Sequence, residues 1–174
     1  MPGHCILSHG FESGPHATKV TALAVVAEHY GWTCERPDFT DLDARREVSD
    51  LGDVAARLER LLGLAQSAAA KGPLVLAGSS LGAWISGHVS LQVPVAGLFL
   101  MAPPIALNAA HPIDAAMVPT SIIHGWDDDL IPAGDVINWA HMRRASLLLV
   151  DDGHRLSENV DTSAEAFAAL LAKL

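Results

Sequence analysis

The pentapeptide Gly78-Ser79-Ser80-Leu81-Gly82 follows directly on the apolar run Leu74-Val75-Leu76-Ala77. Gly-x-Ser-x-Gly behind a buried strand is the pattern of a sharp strand-to-helix turn that leaves its central serine exposed at the apex. Both glycines fit that reading, because neighbouring backbone comes too close there to admit side chains. Ser80 is then a candidate nucleophile. A serine hydroxyl attacks an acyl carbon only if a base removes its proton and an acid orients the base. The chain supplies both, in the order serine, acid, histidine. The stretch from Thr120 breaks at Gly125 into the acidic turn Asp127-Asp128-Asp129, and the stretch from Ser146 to Val150 leads into a turn that presents His154. The chemistry implied is acyl transfer through a serine ester.

Negative charge develops on the carbonyl oxygen in such a reaction, and two backbone N–H groups aimed at that oxygen would stabilise it. Leu81, immediately after the serine, offers one. The loop after the first strand offers the other, because Gly10 lets the chain turn and leaves Phe11 placed to donate. Phe11, Trp84, Met101, Pro103 and Trp126 are the apolar residues that could wall an acyl or alkyl group, with Trp84 read first as packing the helix after Ser80 onto the sheet.

Strand-helix alternation must position these groups. Strands are expected at His4 to Ser8, Trp32 to Arg36, Pro73 to Ala77, Val95 to Met101, Thr120 onward and Ser146 to Val150. Their continuous apolar character marks strands buried on both faces. Between them, Val20, Leu23, Ala24 and Ala27 form one helical stripe, in a helix opening at Gly14-Pro15. Leu51, Val54, Leu58, Leu61, Leu62 and Ala65 form another. A last helix is expected near Asp161-Thr162, with a Thr162-x-x-Glu165 capping box and Phe167, Leu170 and Leu171 inside. Such alternation implies right-handed crossovers and a parallel sheet covered on both faces. Acid and histidine then stand past the carboxyl ends of strands, where open α/β sheets carry their sites.

Four local patterns together resemble the α/β-hydrolase family: His9-Gly10-Phe11, the turn at Ser80, His124-Gly125-x-x-Asp128 with Pro132 behind it, and Gly153-His154. The resemblance spans nearly all of the 174 residues, as a single domain over 1–174. It is nearest to small, lidless, bacterial esterase-like hydrolases, whose first strand runs into a loop like His9 to Pro15. It implies a three-layer sandwich on a six-stranded parallel sheet of order 2-1-3-4-5-6. It also selects Asp128 over Asp127 and Asp129, since the family's acid usually stands three residues after the turn glycine. Hydrolysis of an ester, thioester or similar acyl compound follows from it. A carboxylesterase leads the expectations, ahead of a thioesterase, lysophospholipase or peptidase; a non-catalytic binding module on the same fold is the contrasting one. The segment Ala102 to Val118 is too short for the helical cap that many such hydrolases carry, so a shallow, open site is expected.

A net charge of −9 and scattered basic residues argue against a nucleic-acid or anionic-membrane partner. The pairs Arg45-Arg46 and Arg143-Arg144 read as solvated helix faces. No run approaches the roughly 20 apolar residues of a membrane span. The amino terminus leads straight into a strand with no room for a signal peptide, which points to the cytoplasm. Cys5 and Cys34, on strands expected to be neighbours, read as reduced thiols in that setting. No cofactor is expected, and no metal, because the nine histidines include no His-x-His or His-Glu-x-x-His pattern. His9 and His124 are read as supports that hydrogen-bond to backbone. The expected partner is a small acyl substrate, with a homo-oligomer compatible but not indicated.

Overall fold

Strands that are apolar without alternation need cover on both faces, and the helices between them supply it. The computed structural model describes residues 2–174. In chain order its elements are β1 (His4–Ser8), α1 (Thr18–His29), β2 (Thr33–Glu35), α2 (Thr40–Asp43), α3 (Val54–Ala69), β3 (Leu74–Ser79), α4 (Leu81–Ser90), β4 (Gly97–Met101), β5 (Thr120–Gly125), α5 (Ala133–Arg143), β6 (Ser146–Val150) and α6 (Val160–Leu171). The strands form one parallel sheet in the order β2-β1-β3-β4-β5-β6, as expected.

Alternate residues of the central strands feed two cores. Leu74, Leu76, Leu98 and Leu100 pack with Leu61, Ile85 and Trp139 from α3, α4 and α5. Val75, Ala77, Phe99 and Met101 pack with Leu23, Phe167 and Leu171 from α1 and α6. Burial of these side chains is the main stabilising term, at roughly 25 cal/mol per Å² of apolar surface removed from water. Cys5 and Cys34 are register partners on β1 and β2, and both are free thiols. Burial, the larger cause, pushes the Cys5 thiol up to about 12.

Several local expectations shift. The helix expected from Pro15 starts at Thr18, which leaves residues 9–17 as a long loop at the end of β1. Leu51 lies in a turn ahead of the α3 N-cap Asp53 and belongs to the cavity lining instead of the helical stripe. The four-residue helix α2 has too few turns to show a periodicity. No capping box forms at Thr162 and Glu165, because α6 begins earlier, with Asn159 at its N-cap. Asn159 Nδ2 donates to Asp152 Oδ2 at 3.0 Å and Asp151 O at 3.2 Å, and these bonds fix where the chain enters the helix. Arg143 is not a solvated side chain: it lies over the Trp139 ring and donates to Ala116 O at 2.6 Å.

The segment between β4 and β5 carries no helix. It is pinned to the body by the His88 ring at Pro112 O (3.1 Å) and by the Ala116 N–H, which donates to Ser90 Oγ (2.9 Å). Its exposed turn runs from Asn108 to His111. Among the described residues, no helix is long and apolar enough to cross a membrane.

Candidate active site

At the end of β3 the chain reverses into α4 through Ser80, whose φ of 52° and ψ of −118° are unusual for a residue with a side chain. A Cβ on Gly78 would sit 2.2 Å from Gly82 O, and one on Gly82 would sit 2.3 Å from Ser8 O. Only glycine fits either position. Glu12, Ala102 and Leu156 also hold positive φ, each in a loop that follows a strand's carboxyl end. Left-handed backbone at non-glycine residues is a cost that surrounding packing has to sustain, and it gathers at functional sites.

The three groups expected to act together do meet. Ser80 Oγ is 2.9 Å from His154 Nε2, and His154 Nδ1 is 2.7 Å from Asp128 Oδ2. With Nδ1–H donating to the carboxylate, Nε2 turns its lone pair to the serine hydroxyl. Asp128 is buried, and its Oδ1 accepts the N–H groups of Leu130 (2.9 Å) and Ile131 (2.8 Å). Asp127 and Asp129 are exposed. His124 supports the acid turn as expected, its buried ring meeting Ile131 O at 2.9 Å and standing 3.5 Å from Asp128 Oδ2.

The loop bearing His154 is tied by a residue that the sequence did not single out. Asp152 accepts from Gly153 N–H (2.8 Å), Glu158 N–H (3.0 Å) and Asn159 Nδ2 (3.0 Å). Burial alone would raise its carboxyl, but these donors hold it below the usual range. Gly125 brings β5 against this loop, since a Cβ there would meet Asp152 O at 2.2 Å.

On the other side of Ser80, neither the Phe11 nor the Leu81 N–H has a hydrogen-bond acceptor among the described residues. Gly10 packs against the turn, with a notional Cβ 3.4 Å from Ser79 O. His9 is buried; its Nδ1 meets Gly10 O at 2.7 Å and its Nε2 accepts Phe39 N–H at 3.0 Å. Arg57, buried in α3, donates to His9 O and Gly10 O and pairs with buried Asp43. Neither Arg57 nor Asp43 stood out in the sequence. The available signal was a charge on the buried stripe of α3, which reads Arg57, Leu61 and Ala65 at helical spacing.

Ser80, Phe11 and His154 open into a cavity of about 780 Å³. Leu51, Pro104, Leu107, Leu130, Ile131 and Val160 supply its apolar lining, so the expected wall is redrawn. Of the five residues anticipated, Phe11 alone lines the cavity. Trp84, in α4, is buried in the core and lies tilted against His88, with ring centroids 4.0 Å apart. Met101 faces α1 and α6 from the centre of the sheet, Pro103 is buried, and Trp126 is 56% exposed outside the lining. The half-buried Lys19 also borders the cavity and donates to Arg155 O at 2.5 Å. Burial pushes its ammonium down, against the opposing pull of Asp152 and Asp128. Among the described residues, no group of three or more His, Cys, Asp or Glu could hold a metal ion.

A sharp serine turn, a carboxylate-oriented histidine and a β2-β1-β3-β4-β5-β6 sheet define an α/β hydrolase fold. The chain belongs to the alpha/beta hydrolase superfamily: it is 64% identical to a member from Xanthomonas campestris pv. campestris, with a TM-score of 0.98 and 99% of each chain covered. A lidless a/b serine hydrolase from Xanthomonas campestris shares the fold at 16% identity, with a TM-score of 0.74 over 99% of this chain and 83% of that one. The esterase domain of a Rhodothermus marinus protein does so at 19% identity, with a TM-score of 0.67 over 98% and 85%. No protein-family model and no curated protein matches the chain.

Proposed function

We propose that the protein is a serine hydrolase that cleaves a carboxylic ester of a small substrate through an acyl-enzyme. Ser80 Oγ attacks the acyl carbon while His154 Nε2 takes its proton. The tetrahedral oxyanion accepts hydrogen bonds from Phe11 and Leu81 N–H, and the imidazolium is held by Asp128. Collapse expels the alcohol, which takes the proton back from His154. Water then repeats the sequence on the acyl-enzyme, with His154 again as base. Leu107, Pro104 and Ile131 receive the apolar part of the acyl or alcohol group.

The observation that carries this reading is the continuous hydrogen-bonded path from Ser80 Oγ through His154 to Asp128 Oδ2, at 2.9 and 2.7 Å. A binding module on the same fold has no use for a histidine held between a buried carboxylate and a strained serine. Fluorophosphonate labelling read by intact mass tests it. One adduct per chain is expected on wild type and none on Ser80→Ala. An unlabelled but folded wild type would replace this reading with a non-catalytic one. A panel of short esters, thioesters and amides then ranks the acyl classes, with esters expected to turn over fastest.

A further inference from the structure

Arg57 carries a buried charge, its side chain 0% exposed, on the face of α3 that turns toward the sheet. Its guanidinium forks onto Asp43, Nε to Oδ1 at 2.7 Å and Nη2 to Oδ2 at 2.6 Å. The same group reaches past that pair to the loop after β1, donating to His9 O at 3.0 Å and Gly10 O at 3.2 Å. Asp43 grips the loop one peptide further on, accepting Glu12 N–H at 3.1 Å. Gly10 O is also met by His9 Nδ1 at 2.7 Å and by Ser13 N–H at 3.3 Å. Three donors therefore converge on one carbonyl.

That carbonyl belongs to the same peptide unit as Phe11 N–H. In a planar trans peptide the C=O and N–H point in opposite directions. Holding Gly10 C=O on the Arg57 side thus turns Phe11 N–H to the other side, where no acceptor among the described residues meets it. A full positive charge on the carbonyl end also polarises the peptide and makes its N–H the stronger donor. Asp43 balances the charge and completes the guanidinium's hydrogen bonds, so the cation can lie buried.

We propose that Arg57 is a positioning residue for acyl transfer: with Asp43 and His9 it aims and polarises the Gly10–Phe11 peptide, so that Phe11 N–H meets the oxygen that becomes negative. This rests on the serine-hydrolase reading above. A role confined to stability would be filled as well by apolar side chains of similar volume, which often replace buried ion pairs without loss. Aiming a peptide dipole needs the charge and the fork.

The test uses phenylboronic acid as a tetrahedral probe. Ser80 Oγ donates an electron pair to boron, its proton passes to His154, and trigonal boron becomes an anionic tetrahedral adduct with one oxygen facing the two N–H groups. In wild type, the amide proton resonances of both Phe11 and Leu81 are expected to move downfield on adduct formation. In Arg57→Met/Asp43→Leu, Leu81 should still move and Phe11 should not. There kcat should fall about 10- to 100-fold with KM within about threefold, a loss specific to the transition state. Arg57→Lys, which keeps the charge without the fork, should lie between. The proposal is overturned if Phe11 stays silent in wild type while Leu81 moves, or if the double variant keeps kcat within about threefold. It is equally overturned if both amides fall silent together in the variant. Should the double variant not fold, Arg57→Lys and the wild-type amides decide. If neither wild-type amide moves and fluorophosphonate leaves Ser80 unlabelled, the hydrolase reading itself has failed, and this one with it.

Discussion

At Ser80, backbone packs directly on backbone: Gly78 against Gly82, Gly82 against Ser8, and Ser80 N–H on Met101 O at 2.9 Å. At Phe11, across the same cavity, the loop is carried by side chains that arrive from elsewhere, Arg57 from α3 and Asp43 from α2. The first arrangement depends on the absence of atoms and tolerates none added. The second depends on charges and donors held in a dry place, where each is costly without its partner. A strained serine is best held by something that cannot give. A loop that must point one N–H needs direction, and hydrogen bonds supply that.

The sharpest way to break the backbone side is Gly78→Ala. Its methyl group would lie 2.2 Å from Gly82 O with only backbone to displace. We expect a loss of about 4 kcal/mol or more, read as failure to yield folded protein or as a collapsed urea midpoint. On the side-chain side, Arg57→Ala strands the Asp43 carboxylate and should cost about 3–5 kcal/mol, lowering Tm by about 10 °C. The apolar double replacement should recover most of that loss by calorimetry. If Gly78→Ala proved the milder of the two, the contrast would be reversed.

A smaller effect distinguishes the sides by pH. Burial is the main cause holding His9 below its ordinary value of 6.5, with Arg57 adding to it, while the Gly10 carbonyl, Asp43 and Asp38 pull the other way. A lowered folded pKa means that the unfolded chain binds the extra proton, so stability is full above about pH 6.5 and declines as the pH falls below it. Protonation would also remove the lone pair that accepts Phe39 N–H. Thermal melts of wild type and His9→Gln between pH 5 and 8 should show a steeper acid decline in wild type; parallel curves would assign the acid loss to other groups. The smallest effect belongs to Trp126→Ala. This side chain is exposed and outside the cavity lining, so stability should change by less than about 0.5 kcal/mol and ester turnover should hold.

The backbone side was legible in the sequence, whereas of the side-chain side only the support from His9 was, for a physical reason. Glycine spacing, apolar runs and a histidine just past a strand are short-range signals, and they sufficed for the strands and for Ser80 and His154; the strand order and the choice of Asp128 came from the family resemblance. Arg57 and His9 are 48 residues apart, and Arg57 hides in a helix whose leucines dominate its pattern. Asp43 sits in a four-residue helix that has no period to read. The cavity wall misled for another cause. Met101 and Pro103 were chosen by residue type, whereas strand parity turns Met101 into the core; Trp84, on the buried face of its helix, packs against the sheet, as first expected. The residues that do line it, such as Leu51 and Leu107, lie in turns and loops where periodicity is silent.

The exposed turn from Asn108 to His111 divides the chain into two parts of different trade. Before it lie Ser80 and the Phe11 and Leu81 N–H groups; after it lie His154 and Asp128. The boundary falls between β4 and β5, which are joined by pairing from Leu98↔Thr120 to Met101↔Ile123. On the serine-hydrolase reading, a cut at this turn would yield two fragments, each inert alone, whose activity would return when that strand pair and the α1–α6 packing reform. The molecule is in this sense a two-piece lock, and the turn that links its pieces is already on the surface.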